Sequence, residues 1–299
     1  MKITLASILI LSILLSCTSP HKKSDKRVSK IPRQEHVKQE PSTPSKTSSK
    51  TKAISPQDPS RKKRKLLLPT ILHKKDRSTM VLVQPESLQF GTLNPSKRTL
   101  KEGNTKRRIW MIPDFYIDRT EITIEQYKRF DPEYDEKPFL EKRECPACPA
   151  MGIDFESADR YCQWAGKRLP TEAEWVLAAR GNSDQPWPWG KTFDPLRANL
   201  HGDQDGFPVV APAGSYPQGS GPKGVLDMVG NVWEWVDTPA DPVKSSSKKR
   251  KAVVKRTAKG GGWTSGPKTS HLSYRNHVDP ANRNPTFGVR CVKSVRGSS

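Results

Sequence analysis

Two cysteines three residues apart, Cys145 and Cys148 in the run CPAC, are the side chains of this chain best spaced for chemistry. Such a pair can close a small local disulfide, supply half of a metal site or act as a redox dithiol. A redox pair needs a thiolate of depressed pKa, commonly at a helix N-terminus, whereas Pro146 and Pro149 place these cysteines in irregular chain. Tetrahedral zinc needs a second pair of ligands, and none is present. The expected state is a structural disulfide. Elsewhere, His201, His271 and His277 lack close metal-ligand spacing and no serine sits in a nucleophile elbow, so hydrolytic chemistry is unsupported.

The elements that position these groups announce themselves by punctuation. In GKRLPTEAEW, Pro170 ends an extended segment, Thr171 can cap a helix, and Glu174 stands three residues later as its capping-box partner. The helix runs to about Arg180, turns Ala173, Val176, Leu177 and the stem of Arg180 inward, and exits at Gly181 and Asn182. A preceding helix, Phe155 to Ala165, aligns Ala158, Tyr161, Cys162 and Ala165 on one face and ends at Gly166. Seven of the eight tryptophans fall between Trp164 and Trp263, beside glycine and proline. Large rings must therefore pack in a compact, loop-rich domain.

From MVLV at Met80, through DFYIDRTEITIEQY, YCQWAGKRLPTEAEW, PWPWG, GVLDMVGNVWEWVD and GGGW, to FGVRC at Cys291, the motifs and their order resemble the formylglycine-generating enzyme, or sulfatase-modifying factor, family. The resemblance implies an α+β, C-type-lectin-like fold over 79–295, with short strands, two main helices and much irregular structure. It implies a disulfide between Cys162 and Cys291. It also implies structural Ca²⁺ held by the side chains of Asn199 and Asp205 and the carbonyls of Leu200 and Phe207, with Asp203 as a possible addition; hard oxygen donors suit that ion. A second calcium site of the family lacks its asparagine oxygen here, because Gly221 and Pro222 stand where an Asn-Gly pair is usual. Arg168, Glu172 and Glu174 are expected to form ion pairs or helix caps. Trp233, Trp235 and Trp263 should fill the core, while Asn231 and Glu234 satisfy backbone groups.

The family's oxidase activity depends on two copper-binding cysteines between the GGSW-like turn and a later arginine. Here the interval from Gly260 to Arg275 holds no cysteine, and Ser265 and Ser270 fall at or near the two positions. A hydroxyl is a poor ligand for copper(I), which prefers soft thiolate. Copper and oxidase activity are not expected. The vacated groove near Ser265, Ser270, Tyr274 and Arg275 is expected to recognise an extended peptide or polymer. Three readings follow: a non-catalytic binding or scaffold protein, an enzyme of altered chemistry such as an oxidase using CPAC, or a calcium-dependent, lectin-like glycan binder.

At the N-terminus, the apolar stretch Ile3 to Leu15 after Lys2 is too short to span a bilayer and reads as a secretory signal, residues 1–16. LLSC, ending at Cys17, resembles the lipobox of bacterial lipoproteins, which implies cleavage before Cys17 and its acylation as a membrane anchor. The expected location is the bacterial cell envelope. Thr18 in place of an aspartate favours the outer membrane over the inner. Residues 17–78 then read as a disordered tether: from Thr18 to Ser78, 18 Lys and Arg stand against 5 Asp and Glu, more than half of the formal net charge of +21. Anionic lipid or an envelope polymer is its electrostatic partner, beside an unknown protein or glycan for the domain. The strings RKKRK (61–65) and KKRK (248–251) carry no aromatics for base stacking, so nucleic acid is not expected. Lys244 to Lys259 reads as a basic loop, and 296–299 as a tail.

Overall fold

The computed structural model describes residues 69–90, 108–140, 143–239 and 254–295. The expectations for Cys17, the signal segment, the tether up to residue 68, KKRK and the tail lie outside them. In chain order the described elements are β1 (Thr70–Leu72), β2 (Thr79–Val83), β3 (Glu86–Phe90), β4 (Arg108–Ile112), β5 (Phe115–Asp118), α1 (Ile124–Lys128), α2 (Lys137–Leu140), α3 (Phe155–Trp164), α4 (Glu172–Arg180), β6 (Trp233–Pro239), β7 (Arg256–Lys259), α5 (Pro267–Ser270), β8 (Asn276–Val278), β9 (Phe287–Gly288) and β10 (Val292–Ser294). Short strands, two principal helices and long irregular connections match the expected α+β architecture.

Two four-stranded sheets and a β3–β4 ribbon carry the domain. The first sheet, in the order β1-β2-β5-β10, is antiparallel throughout, and its register sets Val81, Ile117 and Val292 in one row. All four residues of β5 are buried, as an interior strand between two neighbours requires. The second sheet runs β8-β7-β6-β9, with β9 parallel to β6. Its core is aromatic: the Trp235 and Phe287 ring centroids stand 5.0 Å apart, and the buried Trp235 indole donates to the Ile153 carbonyl at 2.7 Å. Trp263 is only half-buried.

Both main helices start and stop where the sequence places them. Asp154 caps α3 and Thr171 caps α4 in a full capping box with Glu174; Gly166 and Gly181 provide the left-handed exits at φ 70° and 64°. The burial of α4 exceeds the one-sided pattern expected. Eight of its nine residues are buried, including Glu172, Glu174 and Arg180. A helix enclosed on all sides cannot leave its charges to solvent.

Two boundaries differ from the sequence reading. Residues 69–78 belong to the folded domain rather than to the tether: β1 pairs with β2, and the fully buried Asp76 accepts from Tyr161 Oη at 3.0 Å and Lys167 Nζ at 2.6 Å. Lys74, Lys75 and Arg77, coming soon after the basic run 61–65, masked the pattern of a short strand and a tight turn. The basic loop likewise ends early, because Arg256–Lys259 forms β7 and Lys259 is wholly buried.

Candidate functional site

The serines at the oxidase positions lie in the turn between β7 and β8. Gly261, at φ 87°, sits so close to Ser270 that a Cβ there would collide with it. Ser265 Oγ accepts from Gly262 N at 3.0 Å, Ser265 N donates to the Gly262 carbonyl at 2.8 Å, and Ser270 Oγ donates to the Gly266 carbonyl at 3.0 Å. Their exposures are 8% and 0%. The expected recognition groove near Ser265, Ser270, Tyr274 and Arg275 gains no support from the two serines, whose hydroxyl groups are buried and hydrogen-bonded within their own turn. Tyr274 and Arg275 are half-buried neighbours; Tyr274 packs 6.0 Å from Trp233 and from His271, and Arg275 donates to Glu172 at 2.8 Å.

Beneath this turn lies a support of buried charge in which Glu172 forms the ion pairs expected of it, while its partner Lys259 and the role of Arg290 were not foreseen. Lys259 Nζ donates to Glu172 and to the carbonyls of Leu272 and Tyr274; burial pushes its pKa down to about 8, with Glu172 opposing the drop. Arg290, also wholly buried, donates to Glu234 at 2.7 Å and to the carbonyls of Asp118 and Leu226, both at 2.9 Å. Glu234 also accepts from the Trp175 indole at 2.6 Å. It thus serves a guanidinium and an indole, not the backbone groups expected of it. Asn231 does serve backbone, exchanging hydrogen bonds with Ala211. Burial, then the neighbouring charge of Asp227, pushes Glu121 well above the usual carboxylate range, and burial raises Asp227 as well. The available signal was a charged residue set between apolar ones, as in Val289-Arg290-Cys291.

A third charged knot holds the first sheet. Lys167 Nζ lies 2.6 Å from Asp76 and 2.7 Å from Asp118, all three buried. Burial alone would raise the Asp76 pKa, but the His73 hydrogen bond and the Lys167 charge hold it well below the usual range. Arg168 and Glu174 pair as expected.

The proposed calcium loop passes one test of fit. Asn199 is fully buried; its Nδ2 donates to the Val209 carbonyl and to Asn231 Oδ1, while its Oδ1 is buried with no partner. An orphaned amide oxygen in the core is costly unless something accepts it. Asp205 stands beside it, receiving Leu200 N and Phe207 N at 3.0 Å each. A cation there would draw on Asn199 Oδ1, Asp205 and the carbonyls of Leu200 and Phe207, supplying charge to a loop rich in acceptors. Among the described residues no three His, Cys, Asp or Glu side chains converge as a metal cluster.

The four cysteines of the domain pair as expected: Cys145 with Cys148, and Cys162 with Cys291, at Cα separations of 5.3 and 5.7 Å. The second bond ties α3 to the entry of β10. The first sits at the edge of a cavity of about 550 Å³ lined by α1, by Lys128 and Glu136 as an ion pair, and by Cys145 itself.

An irregular α+β domain with buried ionic knots, a long-range disulfide and a glycine turn over two packed serines defines the class. Residues 69–295 match the sulfatase-modifying factor enzyme 1-like domain, and the chain belongs to that family. It is 27% identical over 276 residues to the uncharacterized protein YfmG of Bacillus subtilis, covering 74% of this chain and 55% of that one. It is 33% identical over 167 residues to the inactive C-alpha-formylglycine-generating enzyme 2 of Mus musculus, 51% of each chain, and 35% identical over 179 residues to the formylglycine-generating enzyme of Mycobacterium tuberculosis, 48% of this chain and 56% of that one. The chain thus spans about half the length of these curated relatives, and the family holds both active and inactive members. Among solved structures it resembles PvdO from Pseudomonas aeruginosa, with a TM-score of 0.60 and 25% identity, covering 76% of this chain and 98% of that one.

Proposed function

We propose that this protein is a non-catalytic binding or scaffold member of its family, held in the bacterial cell envelope by a lipid on Cys17 and displayed on a basic tether that meets anionic lipid or envelope polymer. One observation carries the reading: where copper-binding thiols are needed, Ser265 and Ser270 stand buried and hydrogen-bonded into their own turn. No thiol is available there to bind copper or to capture a substrate cysteine. The buried orphan oxygen of Asn199 supports Ca²⁺ as a structural ion of the domain.

The deciding experiment incubates the purified protein with copper(I), oxygen and a cysteine-containing peptide. Neither stoichiometric copper nor peptidyl aldehyde is expected; both together would overturn the reading. The anchor is tested separately by Cys17→Ser, which should abolish palmitate labelling in a bacterial host and move the protein from the membrane to the soluble fraction.

A further inference from the structure

The last residue of α4, Arg180, makes no ion pair in any of the charged knots, although its charge repels that of the buried Lys259. Arg180 is 7% exposed, yet its Nε has no hydrogen-bond partner. One Nη reaches the Gln185 carbonyl at a long 3.5 Å, and among the described residues no carboxylate pairs with the guanidinium. The C-terminal end of the helix dipole offsets part of the charge. It does not supply an acceptor for the unpartnered Nε–H. Asp184 is exposed and acts on Arg180 only as a Coulombic neighbour.

Arg180 lines a cavity of about 400 Å³ together with Gln185, Trp189 and Lys223. The chain crosses closely over the helix end here, because Gly221 lies against the Ala179 carbonyl where a Cβ has no room. Trp189 is half-buried, with one side covered by the parallel ring of Trp187 at 5.7 Å. Asn182 and Ser183 add a polar amide and a hydroxyl to the lining. Lys223 is already neutralised by Glu86 at 2.6 Å. Arg180 is therefore the uncompensated charge of the cavity.

We propose that this cavity binds a uronic-acid sugar, its carboxylate on Arg180, its ring against Trp189 and its hydroxyls on the side chains of Asn182, Ser183 and Gln185. A carboxylate matches the planar donor fork of arginine in a way that a neutral group does not. A neutral sugar would leave the buried cation unpaired. An acidic peptide would satisfy Arg180 but leave the indole wall and the amides without a purpose. The inference rests on the binding role proposed above, and gives it a ligand class.

The test titrates the full-length protein with D-glucuronate, D-glucose and penta-aspartate, read by calorimetry and by tryptophan fluorescence. Saturable glucuronate binding is expected, at least about tenfold tighter than glucose, and penta-aspartate should not compete. Arg180→Met and Trp189→Leu should each weaken glucuronate binding by about tenfold or more. Thermal melts check that both variants fold, and Trp189→Leu, at a half-exposed position, serves alone if Arg180→Met does not. Equal binding of glucose, stronger binding of penta-aspartate, or wild-type affinity in the folded variants would overturn the proposal; the last result places any glucuronate on the basic N-terminal segment instead. A preparation that binds no glucuronate and makes no aldehyde overturns the sugar assignment alone, whereas aldehyde formation overturns the non-catalytic reading.

Discussion

Arg290 and Arg180 are both buried, and the fold treats them in opposite ways. Arg290 meets a carboxylate and two backbone carbonyls, so its charge joins three segments of chain. Arg180 meets one distant carbonyl and a cavity. Burial alone does not say what a charge is for; the completeness of its partners does.

Substitution breaks that comparison most sharply at Arg290. Arg290→Met strands Glu234 beside Glu121 and Asp227 and should cost about 3–5 kcal/mol, enough to leave little folded protein, as denaturant titration would show. Removing the Cys162–Cys291 bond by paired serine substitution should cost about 2–4 kcal/mol on the same measurement, since it spans 129 residues. Thr171→Ala deletes the cap of α4 and should cost about 1 kcal/mol. Arg180→Met should cost nothing measurable or even raise the melting temperature, because it removes a buried charge that had no counter-ion. A loss as large as that of Arg290→Met would erase the distinction between the two arginines.

The pH profile sharpens the same contrast. Asp76 and Glu172 have depressed folded pKa values, so their contribution is complete above the ordinary carboxylate range and is lost as pH falls from that range through the lower folded values. Glu121 and Asp227 have raised ones; their folded state holds protons that the unfolded state releases, so stability declines as pH climbs from the ordinary carboxylate range through the raised folded values. Melting temperature against pH should peak between the two, and Glu121→Gln should flatten the upper side.

Much of the scaffold was legible in the residues. Thr171 and Glu174 mark the start of α4, Gly166 and Gly181 mark helix ends, and the order of the tryptophan motifs carries the family fold. Local chemistry fixes such features, so a sequence displays them. The first strand was not legible, because β1 is three residues long, and the turn that follows it is fixed by distant groups: Asp76 finds Tyr161 and Lys167 some ninety positions later. The closed serine turn escaped for the same reason. Ser265 and Ser270 can be placed by counting from Trp263, but their burial depends on Gly261 and on chain packed above them. The Glu172–Lys259–Arg275 knot joins three motifs, and spacing within any one of them cannot reveal it.

The two sulfur bridges also set an order of events. Four thiols admit three pairings, and Cys162 must find Cys291 across a separation of 129 residues while Cys145 and Cys148 stand 3 apart. Short loops close first. Early local closure would remove both nearby competitors and leave Cys162 a single unclaimed thiol within the domain to find, 129 residues away.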